Sequence, residues 1–291
     1  MIDLATVALL VVFFASMPLS RVLSVPSIVS DAVTFSLIFT IAMWGTSSLP
    51  VAQVIGEIAI GVVVALVIVT LTYWLGALLI TLDAKPASAS RRANLGLKYL
   101  LPLALGLLAG ALIRPSLPYG GLVTFELCAL MVVVGVDVGK AISLKVLRAS
   151  LGFGLASTAV NYAAAVMSGL VASFLLGLPT NVSLLIALGS GWYSFTGPFL
   201  ANAFGPEYGI VGFLANFLRE QLVFVLVPAF AKLRESPLGG IAAGGATSMD
   251  VTLPFMREFY GNDFAMPSVV SGAVITLTVP LVLAMFSTAL K

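Results

Sequence analysis

Long apolar runs, separated by short polar segments, extend from one end of the chain to the other. A helix needs about 20 mostly apolar residues to cross the hydrocarbon layer of a bilayer. Runs that approach or exceed this length predict about eight full transmembrane helices, at 4–20, 32–49, 58–82, 99–113, 122–138, 151–176, 208–230 and 264–290. The pattern therefore predicts an all-α polytopic membrane protein.

Two further segments, 179–206 and 238–260, are apolar but interrupted by Gly and other helix-breaking or small polar residues. A half-segment of about 10 residues reaches roughly 15 Å, half the hydrocarbon thickness. Each segment either enters and leaves on the same side, or crosses completely as a broken helix of an inverted-repeat transporter. Non-helical backbone at that depth must be buried in protein or face water, so the pair predicts a solute site at the midplane.

The basic loops at 83–98, 140–148 and 232–235 indicate the orientation, because such loops stay in the cytoplasm. All three lie on one side only if 179–206 enters and leaves from outside and 238–260 does so from inside. We favour this arrangement, which also places both termini outside.

Composition excludes several other classes of protein. Only 9% of the 291 residues are charged and 60% are hydrophobic, whereas a soluble domain has about 25% charged residues. The chain has no His and one cysteine, Cys128, which excludes Ser–His and Cys–His catalysis and an intrachain disulfide. Its net charge of +2 gives no indication of a nucleic-acid partner. We therefore expect no enzyme activity, no metal and no cofactor beyond a coupling ion.

Glu220 lies near the middle of the predicted 208–230 helix. An ionised carboxylate at that depth is unfavourable and usually marks a solute pathway or a proton relay. Asn216 lies one turn earlier on the same helix face, and Arg219 projects about 100° away. We predict a cation or proton site at Glu220; the alternative is a structural Arg219–Glu220 ion pair that joins two helices.

The glycine pair 244–245 interrupts the second broken segment and is followed by Thr247, Ser248 and Asp250. Thr247 or Ser248 can cap the half-helix that follows, whose positive end then favours an anion. Asp250 can attract a cation, or it can simply complement the dipole of its own helix. Groups of both signs near one helix end suit a zwitterion better than a simple ion.

Four polar or aromatic side chains follow one another in the first broken segment: Trp192, Tyr193, Ser194 and Thr196. The hydroxyls can bind a solute, and the two aromatic rings can face an ammonium group by a cation–π contact. The alternative is an aromatic belt at the membrane interface. Glu57, Glu126 and Asp137 are secondary candidates, each either a solvated helix end or part of a relay.

Several motifs occur in a characteristic order: GWYS at 191–194, FGP at 204–206, the pair Arg219-Glu220, and GATSMDVTLP at 245–254. Together they resemble the prokaryotic lysine exporter family of the LysO type. The resemblance covers 95–291, which would form the transport region, while 1–94 matches only in hydropathy and supplies the first three helices.

The resemblance implies export of L-lysine and lysine analogues across the prokaryotic plasma membrane, by proton antiport with alternating access. Glu220 matches the acidic position of the family, while Asn216 stands where some relatives carry an acid, so the number of coupling protons stays open. The family is distantly similar to inverted-repeat cation, bile-acid and auxin transporters. Those have a core part and a panel part and are often dimeric, so a homodimer is expected.

On this basis Glu220 and Asp250 would hold ammonium groups or exchange protons, and Thr247, Ser248 and nearby backbone N–H groups would hold the carboxylate. A sodium-coupled carrier of organic anions or of another amino acid is the alternative, although the broken segments lack the additional basic residues that a dianion would need. An intramembrane enzyme and a passive channel are further alternatives, and the residue content disfavours the enzyme.

Overall fold

The computed structural model describes residues 4–79, 100–141, 144–249 and 251–289. All regular secondary structure in these ranges is helical. The α-helices are α1 Leu4–Ser16, α2 Ser27–Ser48, α3 Val51–Leu79, α4 Leu100–Ile113, α5 Tyr119–Ala141, α6 Leu144–Leu176, α7 Thr180–Leu188, α8 Tyr193–Phe204, α9 Pro206–Ala231, α10 Pro237–Gly244, α11 Leu253–Tyr260 and α12 Ala265–Ala289. Short 3-10 helices occupy Met17–Arg21, Gly245–Met249 and Asn262–Phe264. The predicted all-α class is confirmed.

Four of the described helices are both long and apolar enough to cross a membrane: Ala52–Leu79, Ser150–Leu176, Pro206–Ala231 and Ala265–Thr288. The chain is therefore a multi-pass membrane protein. Helices α1 and α4 have 13 and 14 residues, so eight full crossings stay a prediction. Helix α3 begins at Val51, seven residues before the predicted span that starts at 58 and close to the earlier helix start near Val54 that the sequence also allows.

Helix α6 defines two faces of the molecule. We call the face at its C-terminal end the upper face and the face at its N-terminal end the lower face. Helix α3 runs antiparallel to α6, because Leu66 lines a groove with Val171, whereas Leu75 packs against the apolar cluster that contains Val160. Helix α3 therefore begins at the upper face and ends at the lower face.

Helix α9 runs parallel to α3. Near the upper face Gly61 lies directly against Leu214, and near the lower face the rings of Tyr73 and Phe230 are 5.4 Å apart. Helix α9 therefore also descends from the upper face to the lower face.

Helices α7 and α8 form a re-entrant hairpin, the upper hairpin. The Thr180 hydroxyl lies 2.9 Å from that of Ser173, and the Ser190 hydroxyl accepts from Asn161 Nδ2 at 2.8 Å, so the chain runs back along α6 from its upper end to its middle. Helix α8 then packs along α9 and ends at Phe204, beside the first residue of α9. Because α9 begins at the upper face, the hairpin enters and leaves there.

Helix α10, the 3-10 helix 245–249 and α11 form a second re-entrant hairpin, the lower hairpin. It begins where α9 ends, with Gly239 against the backbone of Tyr73 at the lower end of α3. It returns to the same face, because Tyr260 at the end of α11 lies against Gly240 near the start of α10. The structure thus has the re-entrant arrangement that the basic loops favour, and complete crossing by either broken segment is not observed.

Candidate functional site

The tips of the two hairpins meet inside the bundle. The backbone N–H of Ala246 donates to the Ser190 carbonyl oxygen at 2.8 Å. Gly245 has φ +63°, and a Cβ there would overlap the same Ser190 oxygen. Only glycine allows both this backbone conformation and this close approach. The break at 244–245 therefore positions one hairpin tip on the other.

Asn216 links the upper hairpin to α9 by hydrogen bonds. Its Oδ1 accepts from the Gly191 N–H at 2.7 Å, and its Nδ2 donates to the carbonyl oxygens of Ile186 and Gly212, both at 2.9 Å. An amide supplies the acceptor and donors for these bonds, whereas an ionised carboxylate supplies no donor. The neutral residue at this position therefore has a structural role in this chain.

Arg219 fastens the lower hairpin to the same turn of α9. Its Nε donates to the carbonyl oxygen of Ala243 at 2.8 Å, and its Nη2 donates to Ala242 O at 2.8 Å and to Asn161 Oδ1 at 2.5 Å. Ala242 and Ala243 lie in the last turn of α10, where the helix dipole favours a cation. Arg219 thereby links α6, α9 and the tip of the lower hairpin.

The Arg219 guanidinium is completely buried, and it makes no ion pair with any of the residues that the structure describes. The predicted alternative of a structural Arg219–Glu220 pair is therefore wrong. Consecutive side chains of a helix point about 100° apart, and the partners of Arg219 are carbonyl and amide oxygens instead.

Glu220 is also completely buried, and its Oε1 accepts from Gln221 Nε2 at 2.9 Å. It lies on the turn of α9 whose neighbours Asn216 and Arg219 hold the upper and the lower hairpin. Glu220 thus belongs to the helical turn that holds both hairpins, and its role as a cation or proton site stays a prediction.

Thr247 and Ser248 do not cap a half-helix, and this prediction is wrong. Both lie within the 3-10 helix, where the Thr247 hydroxyl donates to Gly244 O at 2.9 Å. The single proton of the Ser248 hydroxyl is shared between Gly245 O at 2.7 Å and Ser268 O at 3.0 Å. The next helix begins only at Leu253. The tight turn brings each hydroxyl under the carbonyl three residues back, so it donates where a cap would accept.

Trp192 and Tyr193 lie inside the bundle, each 7% exposed. The Trp192 ring is 5.1 Å from that of Phe195, and the Tyr193 ring meets Phe213 edge-on at 5.6 Å. This position at the hairpin tip is incompatible with an aromatic belt at the membrane interface, so that alternative is wrong. A cation–π contact with a substrate stays a prediction.

Thr196 and Ser194 lie at the start of α8 and are both buried. The Thr196 hydroxyl donates to the Trp192 carbonyl oxygen at 2.8 Å, so its proton is used within the hairpin. Asp250, between the 3-10 helix and α11, lies outside the described residues, and so does the whole of the basic loop 83–98.

The secondary candidates lie on α3 and α5, outside the two hairpins. Glu126 on α5 accepts from the hydroxyls of Ser36 at 2.5 Å and Thr40 at 2.9 Å, both on α2. Glu57 is partly buried near the start of α3, and Asp137 lies in the last part of α5. Glu126 therefore contributes to the contact between α2 and α5 rather than to the hairpin site.

Asn161 is a site residue that the sequence analysis did not single out. It is completely buried, it accepts from Arg219 Nη2, and it donates to the Ser190 hydroxyl at 2.8 Å. It therefore contacts both the α9 arginine and the upper hairpin. The sequence feature that could have identified Asn161 is that its side chain is an isolated amide within the apolar run 151–176.

An irregular backbone inside a membrane bundle is tolerated where it is buried in protein or lines a solute path. Two re-entrant hairpins that enter from opposite faces and meet beside buried charged side chains are an arrangement of multi-pass membrane transporters. The fold and the site together thus define this class of protein.

Comparison with known proteins identifies the family within that class. The family model of the lysine exporter LysO matches residues 100–287. Lysine exporter LysO of Escherichia coli K12 is 36% identical over 134 residues, which are 46% of this chain and 44% of that protein. A Haemophilus influenzae protein, provisionally named a lysine exporter, is 31% identical over 185 residues, which are 63% of this chain and 93% of that protein. No solved structure matches the chain.

The chain belongs to the lysine exporter LysO family, a family of transporters and not of enzymes. Membership confirms the resemblance predicted from the motifs in the second half of the chain. It also confirms the prediction that the protein is not an enzyme. The match to the Escherichia coli protein spans less than half of that protein's length.

Proposed function

We propose that this chain exports L-lysine and lysine analogues from the cytoplasm in exchange for protons, by alternating access to a site at the hairpin tips. The observation that carries the proposal is the completely buried Glu220, on the turn of α9 that holds both hairpins. The names of the two relatives support lysine as the substrate.

Exchange follows from the unfavourable burial of charge. A bare carboxylate at this depth is unfavourable, so Glu220 is neutralised either by a proton or by an ammonium group of the substrate. Binding of one then requires release of the other. Asp250, which directly follows the 3-10 helix of the lower hairpin, is proposed as the second group of this kind.

We further propose that the lower face is cytoplasmic and that the membrane is the prokaryotic plasma membrane. The exposed Lys232 and Arg234 lie in the lower-face connection between α9 and α10. Both termini would then lie outside. A homodimer is proposed by analogy with the distantly similar inverted-repeat transporters.

Counterflow of labelled lysine in proteoliposomes tests the proposal, with proton and sodium gradients imposed separately. We expect saturable lysine flux that a proton gradient accelerates and a sodium gradient does not. Sodium-dependent flux of an organic anion would favour the alternative carrier. Flux that does not saturate and does not respond to a gradient would indicate a channel.

Two variants test the roles of the acids. Glu220→Gln and Asp250→Asn should each lower proton-driven lysine flux by at least about 10-fold, the equivalent of 1.4 kcal/mol. Asp263→Asn, at an exposed position of the lower face, is the control and should leave the flux unchanged. Normal proton-driven export by both site variants would show that the mechanism is wrong.

A further inference from the structure

The hydroxyl groups predicted to hold a substrate carboxylate are already engaged. A hydroxyl has a single proton to donate. Those of Thr247 and Ser248 donate to Gly244 O and Gly245 O, and that of Thr252 donates to Thr247 O at 3.0 Å. A carboxylate could recruit one of these protons only if the hydroxyl gave up its present bond to a carbonyl oxygen of the hairpin tip.

Arg219 has donors that no group of the described residues uses. Its Nε and Nη2 are held by Ala243, Ala242 and Asn161, but Nη1 is buried and has no hydrogen-bond partner among the described residues. A guanidinium has five N–H groups, two of them on Nη1. Buried donors without an acceptor are unfavourable and rare, so Nη1 marks a position where an acceptor is expected.

The charge of Arg219 leads to the same conclusion. A guanidinium stays protonated in proteins, and this one forms no ion pair with the described residues. An uncompensated cation within the membrane region is unfavourable and usually functional. A carboxylate is the ligand that supplies both the missing charge and the missing acceptors, and guanidinium is the side chain best suited to bind it.

The directions of the Arg219 and Glu220 side chains allow the two ends of a zwitterion to bind on different sides of α9. Arg219 and Glu220 are consecutive on α9, so their side chains project about 100° apart. The carboxylate end of an amino acid can thus lie at one side of the helix and an ammonium group at the other. Arg219 cannot swing away, because three hydrogen bonds hold it to α6 and α10.

We infer that Arg219 is a specificity-determining residue that binds the α-carboxylate of the transported amino acid through Nη1. This inference rests on the proposed function. The competing explanation is that Arg219 only stabilises the end of α10. That role needs Nε and Nη2 alone and leaves the two N–H groups of Nη1 unexplained.

Ligand binding measured by thermal unfolding of the full chain in detergent tests the inference, because binding to the folded state raises the midpoint with ligand concentration. The probes are L-lysine and 1,5-diaminopentane, which has both amines of lysine and no carboxylate. In the wild type we expect lysine to bind at least about 100-fold more tightly, since a site built around a polar group strongly rejects the analogue that lacks it.

Arg219→Gln should weaken lysine binding by about 10- to 100-fold, as expected for loss of charged hydrogen bonds, and should leave the diamine affinity unchanged. The preference for lysine should therefore disappear. Arg219→Lys is the second variant. It retains the positive charge but lacks the planar guanidinium, so it should show a reduced preference for lysine over the diamine. Arg21→Gln makes the same change at an exposed arginine and should retain the wild-type preference.

Three results would overturn the inference alone: equal binding of lysine and the diamine by the wild type, an unchanged preference in both folded Arg219 variants, or equal weakening of both ligands in them. The last is what a purely structural arginine would produce. If Arg219→Gln does not fold, Arg219→Lys and the wild-type comparison decide. Absence of lysine counterflow by the wild type in proteoliposomes would overturn the proposed function, and the inference with it.

Discussion

At the scale of single residues, the hairpin tips are held by side chains that bond to backbone groups. Asn216 bonds to the backbone of the upper hairpin and Arg219 to that of the lower one. Such bonds inside a low-dielectric bundle fix one geometry and leave little tolerance for a change of donor or acceptor. The first prediction that follows changes one of these side chains, and the second changes the close backbone approach of the two tips.

Asn216→Asp should destabilise the protein by about 1–3 kcal/mol at neutral pH, because an ionised carboxylate cannot donate to Ile186 O or Gly212 O. The loss should diminish at low pH, where the protonated carboxyl regains one donor. Thermal unfolding in detergent across pH measures this effect. Asn202→Asp is the control, since its amide donates to Thr124 Oγ1 at 2.7 Å in an exposed position, where water can replace the lost donor. A destabilisation of Asn216→Asp that does not depend on pH would contradict the explanation.

Gly245→Ala should destabilise by about 1–3 kcal/mol, because alanine is strained at positive φ and its Cβ overlaps Ser190 O. Gly177→Ala is a matched control, since Gly177 has φ +66° with open space around its Cβ position. The difference between the unfolding midpoints of the two variants isolates the overlap between the tips. Equal midpoints would mean that the two hairpin tips can move apart without a loss of stability.

At the scale of helices, glycines let the hairpins pack closely on the long helices. Gly76 of α3 lies against the backbone of Gly239 in α10, and Gly169 of α6 lies against Leu184 in α7. Small residues at helix contacts are characteristic of membrane bundles, where close packing rather than hydrophobic exclusion drives association. The close packing of each hairpin therefore depends on the absence of a side chain at a glycine of the neighbouring helix.

Gly76→Ala should displace the lower hairpin from α3, because the new Cβ would overlap backbone atoms of Gly239 that cannot move aside. We expect a loss of about 1–3 kcal/mol in stability, measured by thermal unfolding, and a fall in lysine flux. Gly56→Ala, on the same helix with nothing near its Cβ position, should be close to neutral. A similar loss in both variants would indicate an effect on α3 itself.

At the scale of the whole molecule, the two hairpins enter from opposite faces and the exposed basic residues of 232–234 lie at the lower face. This asymmetry predicts the orientation in the membrane. The loop between α4 and α5, which contains Ser116, lies at the upper face, because Tyr119 at the start of α5 stacks on Trp44 near the end of α2, directly before α3 begins. In a Cys128→Ser background, Lys232→Cys should react with a membrane-impermeant thiol reagent only from the cytoplasmic side. Ser116→Cys should react only from outside. The reverse pattern would invert the proposed orientation.

The positions of the helices were predictable from the chain alone. In lipid each spanning segment must satisfy its own backbone hydrogen bonds, so apolar runs become helices and breaks fall at Gly and Pro. The predicted segments 151–176 and 208–230 correspond to α6 and α9, and the interrupted segments 179–206 and 238–260 became the two hairpins. The basic loops also indicated that these segments re-enter, and the family followed from short motifs.

The composition and order of residues by themselves thus determined the all-helical membrane class, the broken segments, the family and the importance of the Glu220 turn. Only the tertiary structure decided how the tips meet, which hydroxyls are already engaged, and that Arg219 bonds to α10 and Asn161 instead of to Glu220. The reason is physical. Apolar periodicity and helix breaks are local properties of the chain, whereas Asn161, Ser190, Arg219 and Ala243 become partners only when segments far apart in sequence pack together.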